Sequence, residues 1–386
     1  MDDADAPTVS PAALQAEIDA GDPVRVLDLR DRDAVEQWHL AGSSVRLTQK
    51  PHNRFIQARV TDSVEEFLAD VDGEGPITVV CARGEASGAV ADSLVAAGYD
   101  ARNLAGGMDA WARLLLGTEV EGAAGDADLL QYRRPASGCL GYALVAGEEA
   151  AVVDPLRAFT DRYVDDVRER GATVEYVLDT HVHADHLSGL RALAGATGAT
   201  PVMPAAAVDR GVSYEVETVA DGDGIGVGDL SLEAVAAPGH TTGMTAFAVG
   251  DALLTGDSLF VDGVARPDLE RGSDEAPAFA RELYRTLTER FARFPDGTVV
   301  APGHHPEGAR PDGDGTVRAT LGECRGLPVF DLAEAAFVDR VTERTPPRPA
   351  NHERIVAINL GRESAGDDAL ELELGPNNCA AAPVSD

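Results

Sequence analysis

The chain has 386 residues, of which 66 are acidic and 32 are basic, and its formal net charge is −34. Such a balance leaves no basic patch to neutralise phosphates, which excludes nucleic acid as a partner. No apolar stretch is long enough to span a bilayer. Residues 1–5 lack the positive and apolar segments of a signal peptide, so we predict a cytoplasmic protein.

Lysine is nearly absent, since Lys50 is the only lysine beside 31 arginines. The acidic residues are spread along the chain rather than gathered in one tail. A surface of this kind stays hydrated in concentrated salt, where repulsion is screened to about 3 Å at molar ionic strength. The composition therefore predicts a protein from an extreme halophile.

The first part of the chain alternates strands and helices. Apolar strands are predicted at 24–29 and 77–80, and helices at 31–38 and 86–97. Strands separated by helices indicate a parallel sheet with helices on both faces and with its short loops at the carboxyl edge. We place this α/β domain at residues 7–117.

Cys81 lies at that carboxyl edge, after a strand and directly before a helix. Backbone N–H groups and the positive end of a helix stabilise a thiolate in such a place. Cys81 is therefore the predicted catalytic nucleophile of this domain, and Arg83 is a predicted substrate-binding residue.

The loop at 81–87 has the form C-x-x-G-x-x-S, with L-D-L-R at 27–30 and G-G-x-x-x-W at 106–111. Together these motifs resemble the rhodanese family, which implies transfer of sulfane sulfur through Cys81. Many rhodaneses that use thiosulfate carry further basic groups in this loop, whereas here Arg83 stands alone and Glu85 is acidic. Thiosulfate is therefore disfavoured as the sulfur donor, and persulfide transfer remains the predicted activity of this domain.

The domain organisation follows from a break in periodicity. Residues 118–128 are rich in Gly, Ala and acids, which predicts a linker. A second domain is expected at 129–345, followed by an extension at 346–386 that packs on it.

The second domain contains the segment T-H-V-H-A-D-H at residues 180–186, between a predicted strand at 174–179 and a helix predicted from Leu187. Imidazoles crowded at such a corner suit a divalent metal. Three further candidates each follow a strand and a Gly or Pro turn, namely His240, Asp257 and His304.

This ordered set resembles the metallo-β-lactamase superfamily, which implies an αβ/βα sandwich. The resemblance also implies the ligands of a site for two metals: His181, His183, Asp185, His186, His240, Asp257 and His304. With two zinc ions bridged by water, the chain would resemble glyoxalase II, a thioester hydrolase.

The chain also resembles the persulfide dioxygenases. That likeness implies one Fe(II) per chain on His181, His240 and Asp257, with the other four residues around it or at a second metal. Two His and one carboxylate leave positions for a substrate thiolate and O₂. The implied reaction converts a low-molecular-weight thiol persulfide, O₂ and water into sulfite and free thiol.

Four features favour the dioxygenase: the attached rhodanese-like domain, the opening hairpin with R-P-A-S-G-C at 134–139 and V-V-D-P at 152–155, the R-P-D sequence at 266–268, and the P-N-N-C sequence at 376–379. Arg266 is a candidate to bind a substrate carboxylate, or alternatively to pair with Asp268. Cys379 is expected near the metal. Dioxygenases often have a Tyr two residues after the last His, whereas Pro306 stands here.

A non-enzymatic sulfide or redox sensor, switched by Cys81, is the third hypothesis. The complete ligand set disfavours it, because a sensor would not need all seven residues. His305 and His352 are expected at the surface, and the expected oligomer is a homodimer.

Overall fold

The computed structural model describes residues 5–306, 310–343, 347–366, 369–375 and 378–381. Its N-terminal part is a five-stranded parallel sheet with helices between the strands. The strands are β1 (Thr8–Val9), β2 (Val24–Asp28), β3 (Val45–Gln49), β4 (Ile77–Val80) and β5 (Ala101–Leu104). The helices are α1 (Pro11–Ala20), α2 (Arg32–Gln37), α3 (His52–Val60), α4 (Val64–Leu68), α5 (Glu85–Ala96) and α6 (Gly107–Ala112). The strand order is β1-β5-β4-β2-β3.

Both faces of this sheet are covered by apolar side chains from the helices. Phe55 of α3 and Leu94 of α5 pack on one face, and Leu14 of α1 and Trp111 of α6 pack on the other. Every strand pairing is parallel, so the loops that follow β2 and β4 share one edge. The predicted α/β domain with helices on both faces is confirmed.

The second part contains two further sheets. Its strands are β6 (Leu116–Glu119), β7 (Asp128–Arg134), β8 (Cys139–Ala146), β9 (Glu149–Val153), β10 (Thr173–Leu178), β11 (Thr200–Pro204), β12 (Glu217–Val219), β13 (Gly224–Val227), β14 (Leu230–Ala236), β15 (Thr245–Val249), β16 (Ala252–Gly256), β17 (Val299–Pro302) and β18 (Ala319–Thr320). Its helices are α7 (Thr160–Glu169), α8 (Leu190–Thr197), α9 (Ala205–Asp209), α10 (Ala276–Arg285), α11 (Leu321–Arg325), α12 (Glu334–Glu343), α13 (His352–Asn359) and α14 (Ala369–Leu372). The sheet orders are β12-β11-β10-β9-β8-β7-β6 and β13-β14-β15-β16-β17-β18.

The two sheets face each other across an apolar core. Tyr142 and Leu144 of β8 share this core with Phe247 of β15 and Leu254 of β16. Burying an aliphatic or aromatic side chain of this size contributes about 1.5–3 kcal/mol. Helices α7 and α8 cover the outer face of the first sheet, and α10 and α12 cover that of the second. The predicted αβ/βα sandwich is confirmed.

The segment at 118–128 differs from the predicted linker. β6 begins at Leu116 and pairs antiparallel with β7, so it already belongs to the second part. Val120, Ala123 and Ala124 are then buried in the sandwich core, at 2%, 0% and 1% exposure. The apolar residues among the Gly and acidic ones have a packing role that composition alone does not indicate.

The C-terminal extension touches both parts of the chain. Ile355 and Ile358 of α13 pack with Leu187, beside the predicted metal-binding segment. Leu370 and Leu374 pack against the core of the N-terminal domain. Among the residues described, no helix has the length and apolar character needed to cross a membrane.

Candidate metal centre

Three predicted ligands meet where the two sheets of the sandwich share an edge. His181 follows β10 of the first sheet, whereas His240 and Asp257 follow β14 and β16 of the second. All three are buried, with exposures of 2%, 2% and 0%. Gly239 has a φ of +141°, and a Cβ there would lie 2.5 Å from the Cα of Leu283. Glycine is therefore required at the turn that presents His240.

The ring orientations of His181 and His240 are set by hydrogen bonds at Nδ1. His181 Nδ1 lies 2.9 Å from Thr180 Oγ1, which itself donates to Asp154 Oδ2 at 2.9 Å. His240 Nδ1 lies 3.0 Å from the carbonyl oxygen of Arg266. An acceptor at Nδ1 fixes the proton there and leaves the Nε2 lone pair free, which is how metal-binding histidines are prepared.

Both Nε2 atoms face the same carboxylate oxygen. Asp257 Oδ2 lies 3.7 Å from His181 Nε2 and 3.6 Å from His240 Nε2. Among the described residues this buried oxygen has no hydrogen-bond partner. These three ligand atoms lie within 4.8 Å of one another, as metal ligands would. The geometry fits one divalent metal between two imidazoles and a carboxylate.

The charges of these groups suit a cation. Burial and the neighbouring His183 hold the pKa of His181 well below its usual range, and burial likewise lowers the pKa of His240. Burial alone would raise the pKa of Asp257, but the adjacent His304 holds that pKa far below its usual range. The trio therefore presents two neutral imidazoles and one anionic carboxylate.

A second group lies beside the first and is bonded within itself. His304 Nδ1 lies 2.5 Å from Asp257 Oδ1, and its Nε2 lies 2.7 Å from Asp185 Oδ2. His186 Nδ1 and Cys139 Sγ also face Asp185 Oδ2, at 3.2 and 3.3 Å. Burial lowers the pKa of His304, but the two carboxylates raise it well above the ordinary value. His304 is thus held as a proton-bearing link between two carboxylates.

His183 does not join either group of ligand atoms. Its Nε2 lies 3.0 Å from Asp154 Oδ1 and 3.8 Å from Asp179 Oδ1. Burial raises the pKa of Asp179 to about 6, against the opposing effect of His183. His183 Nδ1 is buried and has no hydrogen-bond partner in the described part of the chain. His183 therefore supports the loop through two carboxylates.

Cys379 lies where the tail motif placed it, close to the metal ligands. Its Sγ is within 4.8 Å of ligand atoms of Asp257 and His304, and the residue is 1% exposed. Burial, reinforced by nearby carboxylates, raises the pKa of this thiol well above its usual range. Pro376 and Asn377 of the same motif lie outside the described residues.

The prediction that Arg266 binds a substrate carboxylate needs correction. Its side chain is 1% exposed, and its Nε and Nη2 each lie 2.8 Å from an oxygen of Asp268. Its Nη1 donates to the carbonyl oxygens of Pro347 and Asn378, at 2.9 and 3.2 Å. All three nitrogens are thus engaged inside the protein. The geometry supports the alternative, a buried ion pair that braces the tail beside Cys379.

His305 was also expected elsewhere, namely at the surface. It is only 6% exposed, because its backbone N–H donates to Gly138 O at 3.0 Å and draws the loop onto the β7–β8 hairpin. Burial, and then the Arg133 guanidinium, lower the pKa of His305 to about 4. Sequence reasoning could not locate this contact because it joins segments over 160 residues apart.

The loop of Cys81 is a separate site in the N-terminal domain. Cys81 Sγ accepts hydrogen bonds from Gly84 N at 3.1 Å, Ser87 N at 3.4 Å and Ser87 Oγ at 3.2 Å. Asn103, which the sequence did not single out, braces the loop by donating to Gly84 O at 3.0 Å. Arg83 is exposed at the rim of this loop. The cradle of donors suits an anionic sulfur.

Comparison with known proteins agrees with both parts of the fold. The model of the metallo-beta-lactamase superfamily matches residues 134–304, and that of the rhodanese-like domain matches residues 10–114. The human protein named persulfide dioxygenase ETHE1, mitochondrial, is 30% identical over 241 residues, covering 60% of this chain and 87% of that protein.

Two further likenesses bear on the choice between reactions. The crystal structure of ETHE1 from Myxococcus xanthus is 30% identical, with a TM-score of 0.54, covering 61% of this chain and 99% of that one. A hydroxyacylglutathione hydrolase from Polaromonas sp. is 36% identical over 166 residues, covering 40% of this chain and 57% of that protein. The likeness to ETHE1 thus extends over more of both chains than the likeness to the hydrolase.

Proposed function

The chain belongs to the persulfide dioxygenase family, and from that premise we propose that it oxidises a low-molecular-weight thiol persulfide. The balanced reaction is RSSH + O₂ + H₂O → RSH + SO₃²⁻ + 2 H⁺. One Fe(II) per chain, held by His181, His240 and Asp257, would serve this reaction. When bound, iron offers open positions on one face to a substrate thiolate and to O₂.

The observation that carries the proposal is the shared Asp257 oxygen faced by two imidazoles. Thr180 and the Arg266 carbonyl keep each ring in the tautomer that presents Nε2. Cys379 is buried and its Sγ lies within 4.8 Å of ligand atoms of Asp257 and His304. The chain itself therefore orients the ligands and buries them together.

In the single-metal proposal, the second group stays hydrogen-bonded within itself. Both nitrogens of His304 then face carboxylates, at 2.5 and 2.7 Å. His183 Nε2 is likewise directed at Asp154. A second metal would have to displace these hydrogen bonds.

Cys81 would handle sulfane sulfur in a separate step. Its thiolate attacks the outer sulfur of the persulfide, the S–S bond breaks, and the free thiolate leaves. The new persulfide on Cys81 then gives its outer sulfur to a second nucleophile, a thiol or sulfite, and Cys81 is regenerated as thiolate. The N–H groups of Gly84 and Ser87 support the anionic sulfur in both steps.

A dinuclear thioester hydrolase is the second candidate. It is supported by the likeness to the hydroxyacylglutathione hydrolase and by the clustered donors of Asp185, His186, His304 and Cys139. Asp185 Oδ1 and His186 Nε2 are buried without a partner among the described residues, as free ligand atoms would be. The sensor hypothesis has no comparable support, because the relatives named here are enzymes.

The test is metal analysis of protein purified without added metal, followed by oxygen uptake in molar salt. We expect about one iron per chain, and uptake of O₂ with release of sulfite when a thiol persulfide is supplied. A glutathione thioester serves as the comparison substrate. Two tightly bound zinc ions with rapid thioester hydrolysis would establish the hydrolase instead.

A further inference from the structure

The loop between β10 and α8 carries four of the predicted ligand residues, yet it has no regular secondary structure. Its residues are largely buried, so its peptide groups need partners other than a helix or a sheet. The helix predicted from Leu187 begins only at Leu190. The peptide groups before Leu190 have partners outside a helix, which explains why α8 begins later than predicted.

One amide side chain from the C-terminal extension binds three of these peptide groups. Asn359 Nδ2 donates to the carbonyl oxygens of His183 and His186, at 3.0 and 2.9 Å. Its Oδ1 accepts from the N–H of Ser188 at 3.0 Å. Asn359 lies at the end of α13 and is 6% exposed.

A second side chain from the extension binds the N–H of one of these same peptide groups, that between His186 and Leu187. Glu373 Oε1 accepts from Leu187 N at 2.8 Å, and Oε2 lies 2.5 Å from Nη1 of Arg134. The two side chains of this ion pair are 0% and 2% exposed. Arg134 Nε also donates to the carbonyl oxygen of Ala112 in α6, at 3.2 Å.

We propose that Asn359 and Glu373 are positioning residues of the metal centre, which shape the ligand loop through its backbone. Together they bind backbone groups of His183, His186, Leu187 and Ser188, and so fix where Asp185 and His186 stand. Arg134 holds the Glu373 carboxylate in place and ties it to the N-terminal domain. The inference rests on the metal centre alone and holds for either reaction.

If Glu373 had only a structural role, its substitution would change the stability of the protein but not its affinity for the metal. The two roles separate when the buried charges are removed in pairs, because an ion pair replaced by apolar groups of similar size can keep the protein stable. Two double variants share Arg134→Met. In one, Glu373→Gln keeps an oxygen that can accept from Leu187 N; in the other, Glu373→Met removes it.

Iron(II) titration under anaerobic conditions against a competing chelator measures the outcome. We expect a dissociation constant about 10–100-fold higher in the Met variant than in the Gln variant, as for other residues that orient metal ligands. Restoration of affinity by Gln is the signature of positioning. Equal affinities in the two folded variants would overturn the assignment of Glu373, whatever their melting temperatures.

Asn359 is tested beside a matched control, Ser213, whose side chain contacts the same end of α13. Asn359→Leu should weaken iron binding about 10-fold or more. Ser213→Ala removes a 3.0 Å hydrogen bond to the carbonyl oxygen of Leu360 without touching the loop, and should leave binding unchanged. Equal loss in both variants would assign the effect to α13 rather than to the loop contacts.

A measurement on the unaltered, metal-free protein tests the proposal even if the variants fail to fold. Backbone hydrogen exchange at Leu187 and Ser188 should be slow, although neither amide is inside a helix or strand. Exchange as fast as in an exposed loop would contradict the proposal whatever the metal or reaction. If exchange is slow but the proposed reaction is wrong, the positioning role of Asn359 and Glu373 still stands.

Discussion

The two reactive sites of this chain are built in opposite ways. The Cys81 site is one loop: residues 81–87 supply both the nucleophile and the hydrogen-bond donors around it. The metal centre draws its ligands from strand ends up to 123 positions apart, between His181 and His304, and its supports from as far as Glu373. A local site depends on a short sequence, whereas a distributed one depends on the whole domain.

This difference has a physical consequence for variants. Changes outside the N-terminal domain should leave the Cys81 loop intact, because the loop is braced within that domain by Asn103 and by backbone N–H groups of α6. Changes at any of several distant positions should weaken the metal centre. The predictions below test whether the two sites are in fact independent in this sense.

The largest expected effect is at the metal. His240→Ala should abolish iron binding and oxygen uptake together, a loss beyond the roughly 10–100-fold typical of residues outside the ligand set. Sulfur transfer by Cys81 should persist. The control His352→Ala removes a histidine that belongs to neither ligand group. Persistent uptake in the iron-free variant would show that the ligands are assigned wrongly.

The converse variant is Cys81→Ser. It should remove sulfur transfer but leave most of the oxygen uptake when persulfide is supplied directly, since serine is a much weaker nucleophile than a thiolate. Cys324→Ser is the matched control, because that thiol is buried in the other domain and burial raises its pKa to about 12. Loss of both activities from folded, iron-loaded protein would refute separate sites.

The same contrast explains what the sequence could predict. Ligands such as His240 and Asp257 were recognisable because each follows an apolar strand and a Gly turn, a local pattern. The cradle around Cys81 was recognisable for the same reason. The N-terminal α/β domain followed from strand and helix periodicity, whereas the sandwich followed from the resemblance of the ligand motifs to the metallo-β-lactamase superfamily.

Long-range contacts were not recognisable. For Arg266 the sequence left two equal alternatives, substrate binding or an ion pair with Asp268. The C-terminal tail decides between them, because it covers Arg266 and makes the side chain inaccessible to substrate. Asn359 and Glu373 had no local signal at all, since each meets the ligand loop more than 170 residues away. Side-chain direction at such positions is decided by partners that are distant in sequence.

Salt should affect both sites, because the acidic charge is spread over both domains. Lowering ionic strength from 1 M to 0.1 M lengthens screening from about 3 Å to about 10 Å, so carboxylates repel across whole faces. Folding free energies are only about 5–15 kcal/mol, so this repulsion is significant. Oxygen uptake and the helical circular dichroism signal should fall together and reversibly. A melting temperature that stays constant between these salt concentrations would remove the halophile proposal.

The smallest effect concerns His305, which lies near the contact between the two domains. Its neighbour Arg133 contacts Asp19 of α1, so burial and this guanidinium both disfavour the imidazolium and lower the pKa of His305 to about 4. In the unfolded chain the pKa of a histidine is about 6.5. Between these values the unfolded chain binds a proton that the folded protein does not, and stability is therefore lost as pH falls below 6.5.

At about 1.4 kcal/mol per pH unit, the loss reaches about 2 kcal/mol at pH 5. His305→Gln removes this titration, so denaturant unfolding should show a free energy that falls less between pH 7 and pH 5 than that of the parent protein. Comparing the two proteins at each pH cancels the carboxylates they share. His39→Gln is the control, because that side chain is exposed. Parallel pH profiles for the parent and His305→Gln would mean that the imidazole is protonated as readily in the folded protein as in the unfolded chain. The contact between the two domains would then be open to water, and the domains would be packed less tightly there than the burial of His305 implies.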